Sequence, residues 1–345
     1  MQDDDHSLAP PVSSLFPGRA DRRHLDNFLT EQLTAAVERL ARGSVTPRLD
    51  LNAFRRELAA FDFDLPYPMD RLLDWSIARL EVGTVHPTHP RYFGLFNPAP
   101  TFPAQCADRI IAAFNPQLAT WTTSPAAVEI EAHVIRSAGR RAGFSTDVTG
   151  HFTTGGAEAN YTALICALTR ANAGFASEGA RAFSGQPMFY ASKESHLAWL
   201  KVAHQAGIGR CAVRLVATDG SGRLDPNALK DAVAADLAQG HVPVMIIATA
   251  GTTNAGMIDP LNDCADIAHL SGLWYHVDAA WGGALIASDR FRGVLEGIEQ
   301  ADSLTIDGHK WFATTMGCGM FITKHARMLS SCFQGNLRPM PCQLT

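Results

Sequence analysis

The sequence predicts an α/β fold, a mostly parallel seven-stranded sheet with flanking helices, preceded by a helical N-terminal segment. Three observations predict it. Short apolar runs recur from about residue 150 onward, they are continuous rather than alternating, and helix-periodic stretches separate several of them. Continuous apolar strands belong to sheets buried on both faces, the usual state of parallel sheets whose crossover helices cover them.

In chain order, Asp26 reads as the N-cap of a helix through Arg42, with Phe28, Leu29, Leu33, Val37 and Leu40 near helical spacing. A second helix is expected from Asp70 to Glu81. The proline-rich stretch HPTHPRYFGLFNPAP (86–100) excludes regular helix and central strand. Long structured loops of this kind serve a site or clamp another subunit. Strands are then expected near 150–153 and at 187–191, 211–217, 243–249, 273–277, 302–306 and 318–323. Helices are expected from Ala157 onward and over 195–206, 226–239 and 260–270. At ~150 residues per domain, a chain of this length makes roughly two domains. The pattern divides it into a helical segment with the proline-rich loop (1–100), a large α/β domain (101–330) and an irregular tail (331–345).

Composition removes several function classes. The formal charge of −5 lacks the basic excess of a nucleic-acid binder. No run of ~18 apolar residues suggests a membrane span, and the opening MQDDDH is acidic where a signal peptide is basic. The seven cysteines are scattered without a C-x-x-C pair, which favours reduced thiols in a cytoplasmic protein over a disulfide framework or zinc site.

Open α/β sheets bind ligands at the carboxyl ends of their strands, so polar residues just after apolar runs are the candidates. Gly155, Gly156 and Ala157 lie where a strand turns into a helix, a natural phosphate cradle; a purely structural glycine turn is the alternative. Asp278 follows the run WYHV, as a helix cap or as the partner of a cation; His276 beside it permits a metal reading, but no third ligand has suitable spacing. Lys310 follows another strand, flanked by His309, Trp311 and Phe312, where desolvation suits a Schiff-base amine; the alternative is a lysine whose stem lies flat while its head reaches water. His196 and Thr249 each follow a strand and are ambiguous alone. Together, an anion cradle, an acid, a flat-faced histidine and a sheltered lysine meet the needs of pyridoxal 5'-phosphate.

The segments HPRYFG (89–94), WTTSPAAVEIE (121–131), TTGGAEAN (153–160), SHLAWLK (195–201), ATAGTTNAG (248–256), HVDAAWGG (276–283) and DGHKWF (307–312) carry a resemblance. On these, the chain resembles the group II pyridoxal-phosphate-dependent amino-acid decarboxylases, relatives of the aromatic amino-acid, histidine and glutamate decarboxylases. The resemblance implies the fold-type I transferase-like architecture, a homodimer, and a carboxy-lyase that turns an L-amino acid into its amine. Lys310 would bond to the cofactor aldehyde, Asp278 would pair with the pyridine nitrogen, and Ala280 and His196 would pack on the two ring faces. Gly155, Gly156 and Ala157 would hold the phosphate, with Asp307 and His309 nearby, and Thr249 would contact the cofactor or position His196. Asp307 and Gly308 stand where several members have Asn-Pro, and a carboxylate beside a phosphate repels it unless protonated or turned aside. In the 93–100 segment, Leu95, Asn97 and Pro98 depart from the aromatic-substrate members. After Lys310 the family's mobile loop with its catalytic tyrosine and its small C-terminal domain are expected, yet no tyrosine follows Tyr275. The expectation is a C-terminally truncated chain, impaired in decarboxylation. The alternatives are another fold-type I enzyme, an aminotransferase or carbon–carbon lyase, and a non-catalytic cofactor-binding remnant.

Overall fold

In a computed structural model, residues 16–62, 67–94, 97–145 and 147–333 are described. The chain divides near residue 95 into two compact units. The expectations for Leu95, for the opening residues and for the tail beyond Phe333 lie outside the described residues.

The first unit holds α1 (Arg19–Leu40), α2 (Leu51–Ala59) and α3 (Met69–Gly83). α1 begins seven residues before Asp26, so Asp26 is an interior residue and not the expected cap; its carbonyl accepts the Thr30 hydroxyl at 2.8 Å. α2 is capped by Asp50, whose carboxylate accepts from Asn52 N–H at 2.9 Å and Ala53 N–H at 3.1 Å. Phe54 and Phe61 pack on Trp75 between α2 and α3.

The second unit opens with α4 (Phe102–Phe114) and α5 (Pro125–Arg141), neither expected from periodicity. Their starts are nonetheless chemically clear: Thr101 caps α4 with Pro103 in its first turn, and Ser124-Pro125 opens α5. Then follow β1 (Thr149–Thr153), α6 (Gly156–Ala171), the single turn α7 (Phe175–Glu178), β2 (Pro187–Ser192), α8 (Ala198–Gln205) and β3 (Val213–Val216). The chain continues through α9 (Pro226–Ala238), β4 (Val242–Thr249), α10 (Leu261–Leu270), β5 (Trp274–Asp278), β6 (Ser303–Asp307), β7 (Gly319–Thr323) and α11 (Ala326–Phe333). Helix α11 continues past residue 330, where an irregular tail is expected. α8 starts later than expected because the chain turns through Ser195–Leu197 first, so His196 precedes the helix.

The seven strands form one sheet in the order β1-β7-β6-β5-β4-β2-β3, in which β7 alone runs against the rest. Helices α5, α9 and α10 bury Ile135, Leu229, Val233 and Leu261 on one face. The other face is covered by α6 and α8 through Ala163, Leu164, Trp199 and Val202. Side chains alternate along each strand, so Ile246 and Ala248 of β4 join the first layer while Met245 and Ile247 join the second.

The same alternation positions polar groups. On β5, Tyr275 and Val277 enter the first layer, which turns Trp274, His276 and Asp278 toward α6. On β6, Leu304 and Ile306 do the same and turn Ser303, Thr305 and Asp307 that way. The pairing His276↔Ser303 and Asp278↔Thr305 sets these two polar rows side by side under one helix.

Candidate active site

At the carboxyl edge of the parallel strands lies a cavity of about 250 Å³. Its walls include Gly155, Gly156, Ala157, His196, Thr249, Asp278, Ala280 and Lys310, every candidate residue except His309. His309 sits just behind: a Cβ on Gly155 would lie 3.6 Å from its Cε1. Its Nδ1 accepts the Cys318 N–H at 3.2 Å, which leaves the proton of the neutral ring on Nε2.

One wall of the cavity is the start of α6. Glu158 accepts the Thr154 N–H at 2.8 Å and its hydroxyl at 2.7 Å, and these bonds hold its carboxyl below the usual range. The helix thus opens at the cavity wall, with its positive dipole end there. A Cβ on Gly156 would lie 3.0 Å from Asp307 Oδ2 and 3.3 Å from Ala280 Cβ, so glycine keeps the space free. Gly319, at the start of β7, lies equally close behind, where a Cβ would meet Gly155 Cα at 2.7 Å.

The acid is held by a relay that sequence reasoning did not assign. Trp274 Nε1–H donates to Ser303 Oγ at 2.9 Å, and Ser303 Oγ lies 2.8 Å from His276 Nδ1. With Ser303 donating onward, His276 carries its proton on Nε2, 3.1 Å from Asn160 Oδ1. Asn160 Nδ2 then donates to Asp278 Oδ2 at 2.8 Å, while Asp278 Oδ1 accepts the Ala280 N–H at 3.2 Å. Thr305 Oγ1 also donates to Asn160 Oδ1 at 2.7 Å. Every donor points along one direction, ending on the carboxylate. Burial drives the His276 pKa down to about 4, so the ring is neutral near pH 7 and both nitrogens are engaged within the protein. The signals were present: Asn160 closes the TTGGAEAN segment, and WYHVD and SLTID alternate polar with apolar residues.

Lys310 Nζ lies 3.0 Å from Asp307 Oδ2. Asp307 is buried, and its Oδ1 has no hydrogen-bond partner among the described residues. Burial pushes its carboxyl above the ordinary range, against the opposing pull of Lys310. Beside Lys310, Trp311 stacks on Trp281 with ring centroids 4.6 Å apart. Gly251 has φ +101°, and a Cβ there would lie 2.6 Å from the Trp281 ring, so the β4 end passes the indole only as glycine.

His196 is exposed at the cavity mouth; its Nδ1 accepts the Ala198 N–H at 3.0 Å, leaving the proton of the neutral ring on Nε2. Thr249 Oγ1 lies 2.8 Å from Ser195 Oγ and so ties the end of β4 to the residue before His196. The Thr249 N–H in turn donates to Asp259 Oδ2 at 2.7 Å. Burial raises the Asp259 carboxyl to about 6.

A glycine-lined helix start, a hydrogen-bonded carboxylate and a half-sheltered amine thus share one cavity at the sheet's carboxyl edge. The chain belongs to the pyridoxal-dependent decarboxylase family, whose conserved domain matches residues 64–339. It is 35% identical over 236 residues to the L-2,4-diaminobutyrate decarboxylase of Rhizobium meliloti (strain 1021), covering 68% of this chain and 46% of that protein. It is 34% identical over 263 residues to a tyrosine decarboxylase of Papaver somniferum, covering 73% and 51%. Among solved structures, Oryza sativa TDC with PLP and tryptamine superposes with a TM-score of 0.87 at 26% identity, covering 96% of this chain and 68% of that one. The chain spans about half the length of the curated relatives it matches.

Proposed function

We propose that this chain binds pyridoxal 5'-phosphate and acts as a carboxy-lyase, converting an L-amino acid to its amine and carbon dioxide. The observation that carries this reading is the single cavity that gathers Lys310, Asp278, His196 and the Gly155–Ala157 cradle. The residues fit the group: glycine holds open the space an anion needs, a buried carboxylate faces the same cavity, and an amine reaches it. Gly155, Gly156 and Ala157 would hold the phosphate, Asp278 the ring nitrogen, Ala280 and His196 the ring faces, and Lys310 the aldehyde. When bound, the cofactor supplies an aldehyde for amines and a protonated ring that accepts electrons as carbon dioxide leaves.

The chain's own residues make the environment for that chemistry. Asn160 and the Ala280 N–H fix both Asp278 oxygens, so the carboxylate meets a cation without reorganising. Asp307 holds the Lys310 ammonium in place beforehand. His196 presents its Nε2–H at the mouth, where it can hold a substrate carboxylate or move a proton.

A homodimer is part of this proposal. Phe102, Ile110, Ile111 and Phe114 of α4, with Trp121 and Ile130, are large apolar side chains that each stand exposed, which supports a protein interface in this part of the chain. No helix among the described residues is long and apolar enough to cross a membrane. The scattered thiols support a cytoplasmic setting.

The test is an amino-acid panel that includes 2,4-diaminobutyrate, tyrosine, tryptophan and acidic amino acids, with cofactor added and labelled carbon dioxide counted. Release from at least one member, abolished by Lys310→Ala, is expected. A keto acid product without carbon dioxide would make the chain an aminotransferase instead.

A further inference from the structure

Asp307 is the one residue of the cavity whose charge opposes the ligand assigned to it. It borders the cradle directly, since the Cβ position on Gly156 lies 3.0 Å from Oδ2 and 3.3 Å from Oδ1. Oδ1 is buried and has no partner among the described residues, while Oδ2 faces the Lys310 ammonium at 3.0 Å. The other titratable groups facing it are few. His309 Nε2 is 3.7 Å from Oδ2, Asp278 adds a second negative charge from β5, and the Cys318 thiol near the start of β7 is itself held protonated by burial. At this point α6 brings only its glycine backbone.

We propose that Asp307 holds the cofactor phosphate as a neutral acid, donating through its carboxyl proton, so that seating the cofactor draws one proton into the site. This rests on the pyridoxal-phosphate reading above. The ion pair with Lys310 is what stabilises the carboxylate before loading. Once Lys310 is committed to the cofactor, that compensation is lost and a dianion arrives at the cradle. Two like charges brought together in a buried setting do not both persist; one takes up a proton. The unpartnered oxygen becomes a donor, and an acceptor with no partner becomes a satisfied hydrogen bond. Burial already biases the carboxyl in that direction.

The experiment measures binding of pyridoxal phosphate and of pyridoxal, which lacks the phosphate, to the cofactor-free chain between pH 6.5 and 8.5. Wild type and Asp307→Asn are compared by absorbance of the Lys310-bound species. One linked proton makes the wild-type dissociation constant rise by up to about tenfold per pH unit more than that of D307N. That excess slope is smaller for pyridoxal. Calorimetry at pH 7.5 in buffers of different ionisation enthalpy, where free phosphate (pKa ~6) is already ionised, then shows uptake of about one more proton for pyridoxal phosphate than for pyridoxal. This second measurement needs only wild type, should D307N not fold. Equal slopes for the two proteins, or equal proton uptake for the two ligands, overturn the proposal while leaving cofactor binding intact. Absence of any Lys310-dependent absorbance overturns the cofactor reading itself, and this inference with it.

Discussion

Replacing Asn160 by alanine removes the joint between the buried relay and the acid of the cavity. Asn160 is 2% exposed, and three hydrogen bonds end on its amide, at 2.8, 2.7 and 3.1 Å. Two of its partners can re-pair, because Thr305 Oγ1 and His276 Nε2 already lie 3.3 Å apart. Asp278 Oδ2 has no such substitute among the described residues. An orphaned buried acceptor destabilises by ~1–3 kcal/mol, and the small void adds ~1 kcal/mol. Alanine's better helix propensity in α6 returns only ~0.5 kcal/mol. The net loss is about 1.5–3.5 kcal/mol. It is read as a lower urea midpoint of the cofactor-free chain at unchanged m. Because Asp278 is then free to turn, pyridoxal phosphate affinity should fall by about tenfold or more, measured by absorbance titration. A loss below about 0.5 kcal/mol together with unaltered cofactor affinity would refute the view that Asn160 holds the acid.

Three further outcomes are expected. Lys310→Ala removes the covalent cofactor absorbance and lowers the rate of any substrate by at least about 10³-fold, checked by spectra and carbon dioxide release; it also strips Asp307 of its partner. His276 has a folded pKa of about 4 against ~6.5 when unfolded, so the unfolded chain binds the extra proton between those values and stability falls as pH drops through that window. Wild type should therefore lose about 2–3 kcal/mol of its advantage over His276→Gln between pH 7 and pH 4.5 in urea titrations, and a constant difference would show that the ring is not buried neutral. Gly319→Ala pushes β7 against Gly155 and is expected to weaken pyridoxal phosphate binding by about tenfold, read by the same absorbance titration.

Much of the molecule was legible in the chain order of its residues. Buried strands such as β2 and β4 are short, continuous and apolar, so they could be located by composition, whereas β1 (TGHFT) is mixed; Thr249, Asp278 and Lys310 stood out because they end or follow strand runs. Helices α4 and α5 were not legible from periodicity because much of their apolar surface faces outward: Phe114 is 80% and Ile130 65% exposed. Which side a strand residue faces, and what lies opposite, depends on register and on the covering helix. Those are long-range quantities that no local pattern contains. Residues 116 positions apart, His276 and Asn160, therefore met only in the folded chain. The sequence by itself determined the fold class and the candidate chemistry, because strand burial and motif spacing are local properties. The tertiary structure alone decided that Asn160 would hold the acid and that the Asp307 carboxylate would stand between the lysine and the anion cradle. Both follow from pairing β5 with β6 beneath α6, where buried polar groups must find partners or change their charge.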